Sequence, residues 1–388
     1  MLELLWLLLP VAAGSGWYAA RRSMNNAATN CGAKFSSAYF KGLNYLLNEQ
    51  PDKAIEVFIK MAEIDTETVE THLALGSLFR RKGEVDRGIH IHQNLIARPA
   101  LTRDQRMHTL LELGEDYMKA GLFDRAENLF LELVEQNAYL PEAYERLMDI
   151  YQREQDWNKA IQASQSLQDV TGRSTNSVIA HFYCELGEEA MDSRDYPKAI
   201  RMIKKALSAN KECVRANILQ GQIYEQKNDF KSAIKAYKRV GEQDIEYLPE
   251  IIGALEECYQ KSGNPQGIIA YLKDILGYYD GISPILALAG HIQQEDGDQA
   301  AMEFVADQLR KRPSVRGLKW LIELSLKHSE GKAKNNLQIL YGLISKVLEG
   351  KPVYKCNSCG FSGKAMHWQC PGCKTWSSIK PVKGVEGE

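Results

Sequence analysis

Two hydrophobic patterns divide the chain. From Leu2 to Ala20 only Glu3 and Ser15 interrupt an apolar run. As a helix that run spans roughly 28 Å, near the ~30 Å hydrocarbon core of a bilayer. A cleavable secretion signal carries its positive charge ahead of the apolar run. Here the leading charge is acidic, Glu3, and the basic pair Arg21–Arg22 follows the run. Residues 1–20 therefore predict a transmembrane anchor, with Met1 on the far side and Arg21 in the cytoplasm. Ala12, Gly16 and Ala20 recur every fourth residue, a strip of small side chains of the kind that lets a second membrane helix approach. Residues 21–34 are basic, then polar or small, and aperiodic; they read as a cytoplasmic linker.

From residue 35 to 348 the apolar spacing is helical, and it repeats. Gly42 is followed twelve residues later by Ala54 and four after that by Phe58. The same frame gives Gly76, Gly88, His92; Gly114, Ala126, Phe130; Met148, Ala160, Ser164; and Gly187, Ala199, Ile203. It continues through Gly221, Ala233, Tyr237; Leu255, Gly267, Tyr271; and Ala289, Ala301, Val305. Five of the seven intervals between first members are identical, Gly42 to Gly76 being one; the two longer ones place extra residues near 97–104 and 171–177. Tyr45, Phe79, Tyr117, Tyr151 and Tyr224 sit three residues after their first members. This resembles the tetratricopeptide repeat, a helix–turn–helix unit of about 34 residues. The fold expected is all-α: a superhelical solenoid of eight to nine repeats, with small residues letting helices approach and aromatics filling between them. Turns such as Gly121–Leu122–Phe123–Asp124 suggest a glycine stop followed by an Asp cap. Repeats weaken after Leu255, as expected of a terminal cap.

Composition narrows the picture little further. Hydrophobic residues make 44% and charged residues 25% of the 388, ordinary for a globular chain. A net charge of −2 gives no reason to expect nucleic-acid binding. The cysteines say more. Cys356, Cys359, Cys370 and Cys373 form a tight cluster, while Cys31, Cys184, Cys213 and Cys258 are scattered, which fits a reducing compartment rather than a disulfide framework. Within the repeats, His90 and His92 point to different sides of a helix. His181 and Cys184 share a face and read as a buried structural pair; Cys213 and Cys258 read as small apolar residues. The catalytic motifs G-x-x-x-x-G-K-[ST], H-E-x-x-H and G-x-S-x-G are absent. No enzyme is expected.

Residues 349–388 predict a metal domain. C-x2-C and C-x2-C, ten residues apart, in a segment too small for a core are a strong metal signal, with Cys356, Cys359, Cys370 and Cys373 as ligands. Each pair can form a knuckle whose backbone amides point at sulfur, and Gly360 suits the tight turn. By geometry four thiolates take zinc or a single iron equally well. C-x2-C-G followed by C-P-x-C looks like the rubredoxin type of knuckle, which leaves iron open. His367 reads as a bystander. Residues 351–388 carry six lysines and two glutamates, net +4, which leaves −6 for the rest. With Phe361, Trp368 and Trp376 among those lysines, packing against the terminal repeat or the acidic solenoid needs fewer assumptions than nucleic acid.

An anchor, a long repeat array and a four-cysteine tail, opened by Met1-Leu-Glu-Leu-Leu-Trp-Leu-Leu-Leu-Pro10 and closed by Trp376-Ser-Ser-Ile-Lys-Pro381, closely resemble the lipopolysaccharide assembly protein B family of Gram-negative bacteria. The resemblance spans essentially the full length. It implies a single-pass inner-membrane adaptor, N-terminus periplasmic and mass cytoplasmic, that promotes degradation of the deacetylase LpxC by the protease FtsH. It also implies iron at the four cysteines. The other role the family suggests is a scaffold that gathers further lipopolysaccharide assembly proteins without changing their turnover.

Overall fold

The computed structural model describes residues 40–388 except 46, 49 and 65–68. The anchor, the linker, and Ala12, Gly16 and Ala20 lie outside the described residues. Among the described residues no helix is long and apolar enough to cross a membrane. The chain divides into two compact units between Arg173 and Ser174, inside the second of the two expected insertions.

In the first unit, residues 40–45 are helical. Paired helices follow: α1 (Pro51–Ile64), α2 (Val69–Lys82), α3 (Val85–Ile96), α4 (Arg103–Ala120), α5 (Phe123–Glu135), α6 (Leu140–Arg153) and α7 (Trp157–Thr171). The second unit continues the pattern with α8 (Asn176–Asp192), α9 (Tyr196–Ala209), α10 (Val214–Gln226) and α11 (Phe230–Gln243). A 3-10 turn over Ile245–Glu250 then precedes α12 (Ile252–Lys261), α13 (Pro265–Ile275), α14 (Ser283–Asp296), α15 (Asp298–Lys311), α16 (Val315–Lys327) and α17 (Gly331–Glu349). The unit closes with a three-stranded antiparallel sheet, β1 (Tyr354–Cys356) between β2 (Ser362–Gly363) and β3 (Ile379–Pro381).

The repeat frame is a packing rule. A Cβ placed on Gly76 would lie 2.4 Å from the His92 ring, on Gly114 2.7 Å from Phe130, and on Gly221 2.4 Å from Tyr237. In each case the partner is sixteen residues on, the third member of the frame. The glycine is absent volume that a large, fully buried side chain of the second helix fills. In the fourth repeat the sizes are exchanged: Met148 stands for the glycine, and buried Ser164 for the large partner.

The turns follow a rule too. Gly83, Gly121, Gln155, Arg194 and Asn228, each seven residues after a first member, take left-handed φ between 58° and 94°. At Asp156, Asp195 and Asp229 the next residue caps the following helix, its carboxylate accepting from the backbone N–H three residues on. The expected cap at Asp124 is not one: Leu122 holds that position without a side-chain bond, and Asp124 lies in the first turn of α5. There its charge still suits the helix N-terminus. The first insertion, by contrast, carries a full capping box, Thr102 with Gln105.

In the second repeat the third position holds a histidine where most repeats have an apolar filler. His92 is buried with its Nδ1 2.6 Å from the carboxylate of Asp116, which also accepts from Arg80 at 2.7 Å. Buried charges are tolerated when paired and hydrogen-bonded in this way.

Candidate metal centre

The sheet is too small to hold itself. Its buried cluster consists of Cys356, Cys370 and Ile379. A core of that size cannot offset the conformational entropy of some thirty ordered residues. Two knuckles bring the thiols together. In the first, Gly360 follows Cys359 with φ of +80°; in the second, Lys374 follows Cys373 with φ of +60°. The four Sγ atoms lie within 4.8 Å of one another, Cys356 to Cys373 at 3.8 Å and Cys359 to Cys370 at 3.6 Å. A tetrahedron of thiolates bonded at about 2.3 Å has edges of about 3.8 Å. The donor set therefore fits one tetrahedral ion, and the four cysteines are positioned to bind a metal in a rubredoxin-like ribbon. Exposed His367 is not part of that cluster.

The surroundings favour thiolate at Cys356 and Cys373 and oppose it at Cys359. The Ser378 hydroxyl, 3.3 Å from Cys356 Sγ, and the amides of Cys359 and Ser358 bring the Cys356 thiol down to about 6 against the effect of burial. The Thr375 hydroxyl and amide lower Cys373. At Cys359 the Phe361 amide acts in the same direction, but burial and the neighbouring sulfurs outweigh it and push that thiol up to about 12. Four sulfurs this close cannot all ionise unaided. A cation removes that conflict.

The ribbon is seated on the repeats of its own unit. Trp376 stacks on His181 of α8 with centroids 4.7 Å apart and meets Phe182 edge-on at 6.0 Å. Trp368 lies 5.4 Å from Tyr247 of the 3-10 turn. The guanidinium of Arg215, on α10, sits about 6 Å from both indole rings. Tyr247 donates to the Ile379 carbonyl at 3.0 Å, and Tyr354 donates to Glu250 at 2.7 Å. Lys380 pairs with Asp244 and Glu246, Lys383 with Glu246. The chain end is held as well: Glu388 accepts from the Ser283 amide at 3.1 Å and pairs with Arg316. Both expected seats are used: the last repeats hold the ribbon through Arg316 and through the Val315 amide, which donates to the Val385 carbonyl at 2.7 Å, and acidic side chains earlier in the array hold its lysines. The ribbon reaches α8, α10 and the 3-10 turn, well before the end of the array.

Arg215 and His181 were not legible as seat residues. Arg215 is nearly fully buried, and its charge is kept by Glu188 and Glu185 at 2.8 and 2.7 Å, which outweigh burial. Burial, helped by that neighbouring charge, pushes His181 down to about 3. Its neutral ring bonds Ser377 through Nε2 at 2.8 Å, while Nδ1 has no partner among the described residues. Cys184 is buried as expected, though its neighbour is Cys213, with sulfurs 4.0 Å apart and both thiols free. Cys258 is fully buried in apolar surroundings.

A helical repeat array that carries a thiolate ribbon in its own fold defines a repeat protein with a built-in metal module. The family models agree: a rubredoxin metal binding domain matches residues 354–381, and a tetratricopeptide repeat matches 184–244. Lipopolysaccharide assembly protein B of Escherichia coli K12 is 39% identical over 388 residues, all of both chains. Its counterpart in Haemophilus influenzae is 34% identical over 396 aligned positions, again all of both. The chain belongs to the lipopolysaccharide assembly protein B family. Among solved structures, the C-terminal part of a repeat protein from Cytophaga hutchinsonii covers 66% of this chain and 99% of its own at 19% identity, with a TM-score of 0.43.

Proposed function

We propose that this chain is a membrane-tethered, non-enzymatic adaptor in lipopolysaccharide assembly that promotes proteolysis of LpxC by FtsH. The observation that carries the reading is the end-to-end match to a family named for lipopolysaccharide assembly, in a fold built for holding proteins. Residues 1–20 anchor the chain in the inner membrane with the N-terminus periplasmic, and 21–34 link the anchor to cytoplasmic repeats from 35 to 348. Ala12, Gly16 and Ala20 face the membrane part of the protease, and the repeats hold the client. Tethering raises the effective concentration of a bound client beside a membrane protease.

Cys356, Cys359, Cys370 and Cys373 hold one metal ion in the domain 349–388. Iron is the ion that the rubredoxin type of knuckle favours; zinc fits the same sulfurs, and a visible iron–thiolate absorbance on the purified chain separates the two. Bound there, the ion fixes the ribbon's fold. The ribbon's own residues do the rest: Trp368, Trp376 and Lys380 fasten it across the repeats and fix their relative placement within the second unit.

The deciding measurement is the half-life of LpxC after protein synthesis is blocked, with this protein present and then depleted. A markedly longer half-life on depletion supports the adaptor. An unchanged half-life leaves the scaffold, which gathers lipopolysaccharide assembly proteins without altering their turnover.

A further inference from the structure

The last helix carries two apolar faces where a terminal helix needs one. On α17, Leu337, Tyr341, Ile344 and Leu348 are half-buried, at the spacing of a single stripe. On another side of the same helix Ile339, Leu340, Leu343 and Val347 form a second stripe, 46% to 62% exposed. A solenoid end is ordinarily polar on its outer face. By helical phase Lys332 and Asn336 continue this stripe toward the start of α17 and Lys346 flanks it, all three exposed. Residues 315–351 hold seven basic and three acidic side chains; Arg316 and Lys351 are paired with Glu388 and Glu386, which leaves a net +2 in a chain whose total is −2.

We propose that this outer face of α17 lies on the surface of an anionic bilayer, apolar stripe down and lysines among the headgroups. Three observations select that occupant. The stripe is one helix wide, four side chains, far short of the roughly 800 Å² per partner that a stable protein interface buries. Its rim is basic, so a second copy set against it meets like charge, while an anionic leaflet meets opposite charge. A helix with apolar residues on one face and lysines beside them is the form that binds in the plane of a membrane interface. The inference rests on the tethered reading above, because a chain anchored through residues 1–20 is held at such a surface already. One such helix adds orientation to a chain that the anchor retains.

The test uses the full chain in detergent, in phosphatidylcholine vesicles, and in vesicles with about a third phosphatidylglycerol. Vesicle flotation reports tethering, and amide exchange across residues 331–349 reports the contact. The expected result is flotation with both vesicle types and exchange in α17 slowed at least ~10-fold by the anionic vesicles alone, a protection reversed by salt. Leu343→Gln with Val347→Gln, at exposed positions that leave the fold intact, should abolish the protection without affecting flotation. Flotation with equal α17 exchange in all three conditions overturns the surface contact and leaves the tether standing. Failure to float overturns both. Protection that appears in detergent and rises with protein concentration assigns the face to a second copy and overturns the proposal.

Discussion

The repeats and the ribbon are stabilised in opposite ways. Each repeat is closed by contacts between its own two helices: Gly114 meets Phe130, sixteen residues on, and Gly221 meets Tyr237 at the same spacing. The ribbon's contacts are distant: Ser377 bonds His181 across 196 positions, and Ile379 accepts from Tyr247 across 132. The repeats would tolerate loss of any one contact, because the next unit repeats it. The ribbon has a core of three side chains and depends on its ion and its seat together. A local disturbance should therefore spread through the ribbon and stay confined in the repeats.

The largest effect should come from removing the ion. Cys356→Ser with Cys370→Ser should release the metal and unfold 354–381, since structural sites of this type contribute on the order of 10 kcal/mol to small modules. Amide exchange should show the ribbon and its contact face on α8 and α10 deprotected, with residues 69–173 unchanged. A ribbon that stays protected without metal would mean that the seat alone holds it.

Next comes the packing rule. Gly114→Met forces a side chain against Phe130 and should cost about 3 kcal/mol. Phe130→Ser alone leaves a cavity and should cost about as much. The double variant copies the Met148–Ser164 arrangement and should recover much of both losses. Additive losses in that cycle, followed by chemical denaturation, would show that the fourth repeat owes its stability to something other than size exchange.

A pH scan separates the two regions at a smaller scale. His181 is a base whose folded pKa, about 3, lies below its unfolded value near 6.5. The unfolded state then takes up a proton that the folded state refuses, so stability falls as pH drops below about 6.5 and levels off near pH 3. Between pH 7 and pH 5 the loss should reach about 2 kcal/mol. His181→Asn should be less stable at pH 7 but flatter over that range, read from exchange in 176–192. A wild-type slope that survives the substitution would place the titrating group elsewhere.

Legibility follows the same division. The recurring repeat interval, the mostly small first members and the paired cysteines are local patterns, and they locate the repeats and gather the four thiols. The weak points are also local in appearance. Met148 breaks the glycine pattern, with the small Ser164 at the place of the large partner, and Asp124 resembles a cap because it follows a glycine turn. The seat is beyond reach for a different reason. Arg215 and His181 occupy ordinary positions in ordinary repeats, and what makes them special is Trp368 and Trp376, far along the chain. Thr102 and Gln105 do carry a readable capping signature, hidden in what looks like slack.

The smallest effect tests the turn rule inside the repeats. Gly83 and Gly121 adopt left-handed φ without a side chain, whereas Gln155, Arg194 and Asn228 adopt it with one, at φ of 58° to 59°. The left-handed region costs an ordinary side chain roughly 1–2 kcal/mol, and glycine gives back part of that by its greater freedom when unfolded. Arg194→Gly and Gln155→Gly, both at exposed positions, should therefore gain about 0.5 kcal/mol each. Asn228→Gly should gain close to nothing, because asparagine visits this region readily. Equal gains at all three sites, measured as shifts in denaturation midpoint, would mean that backbone strain is not what distinguishes these turns.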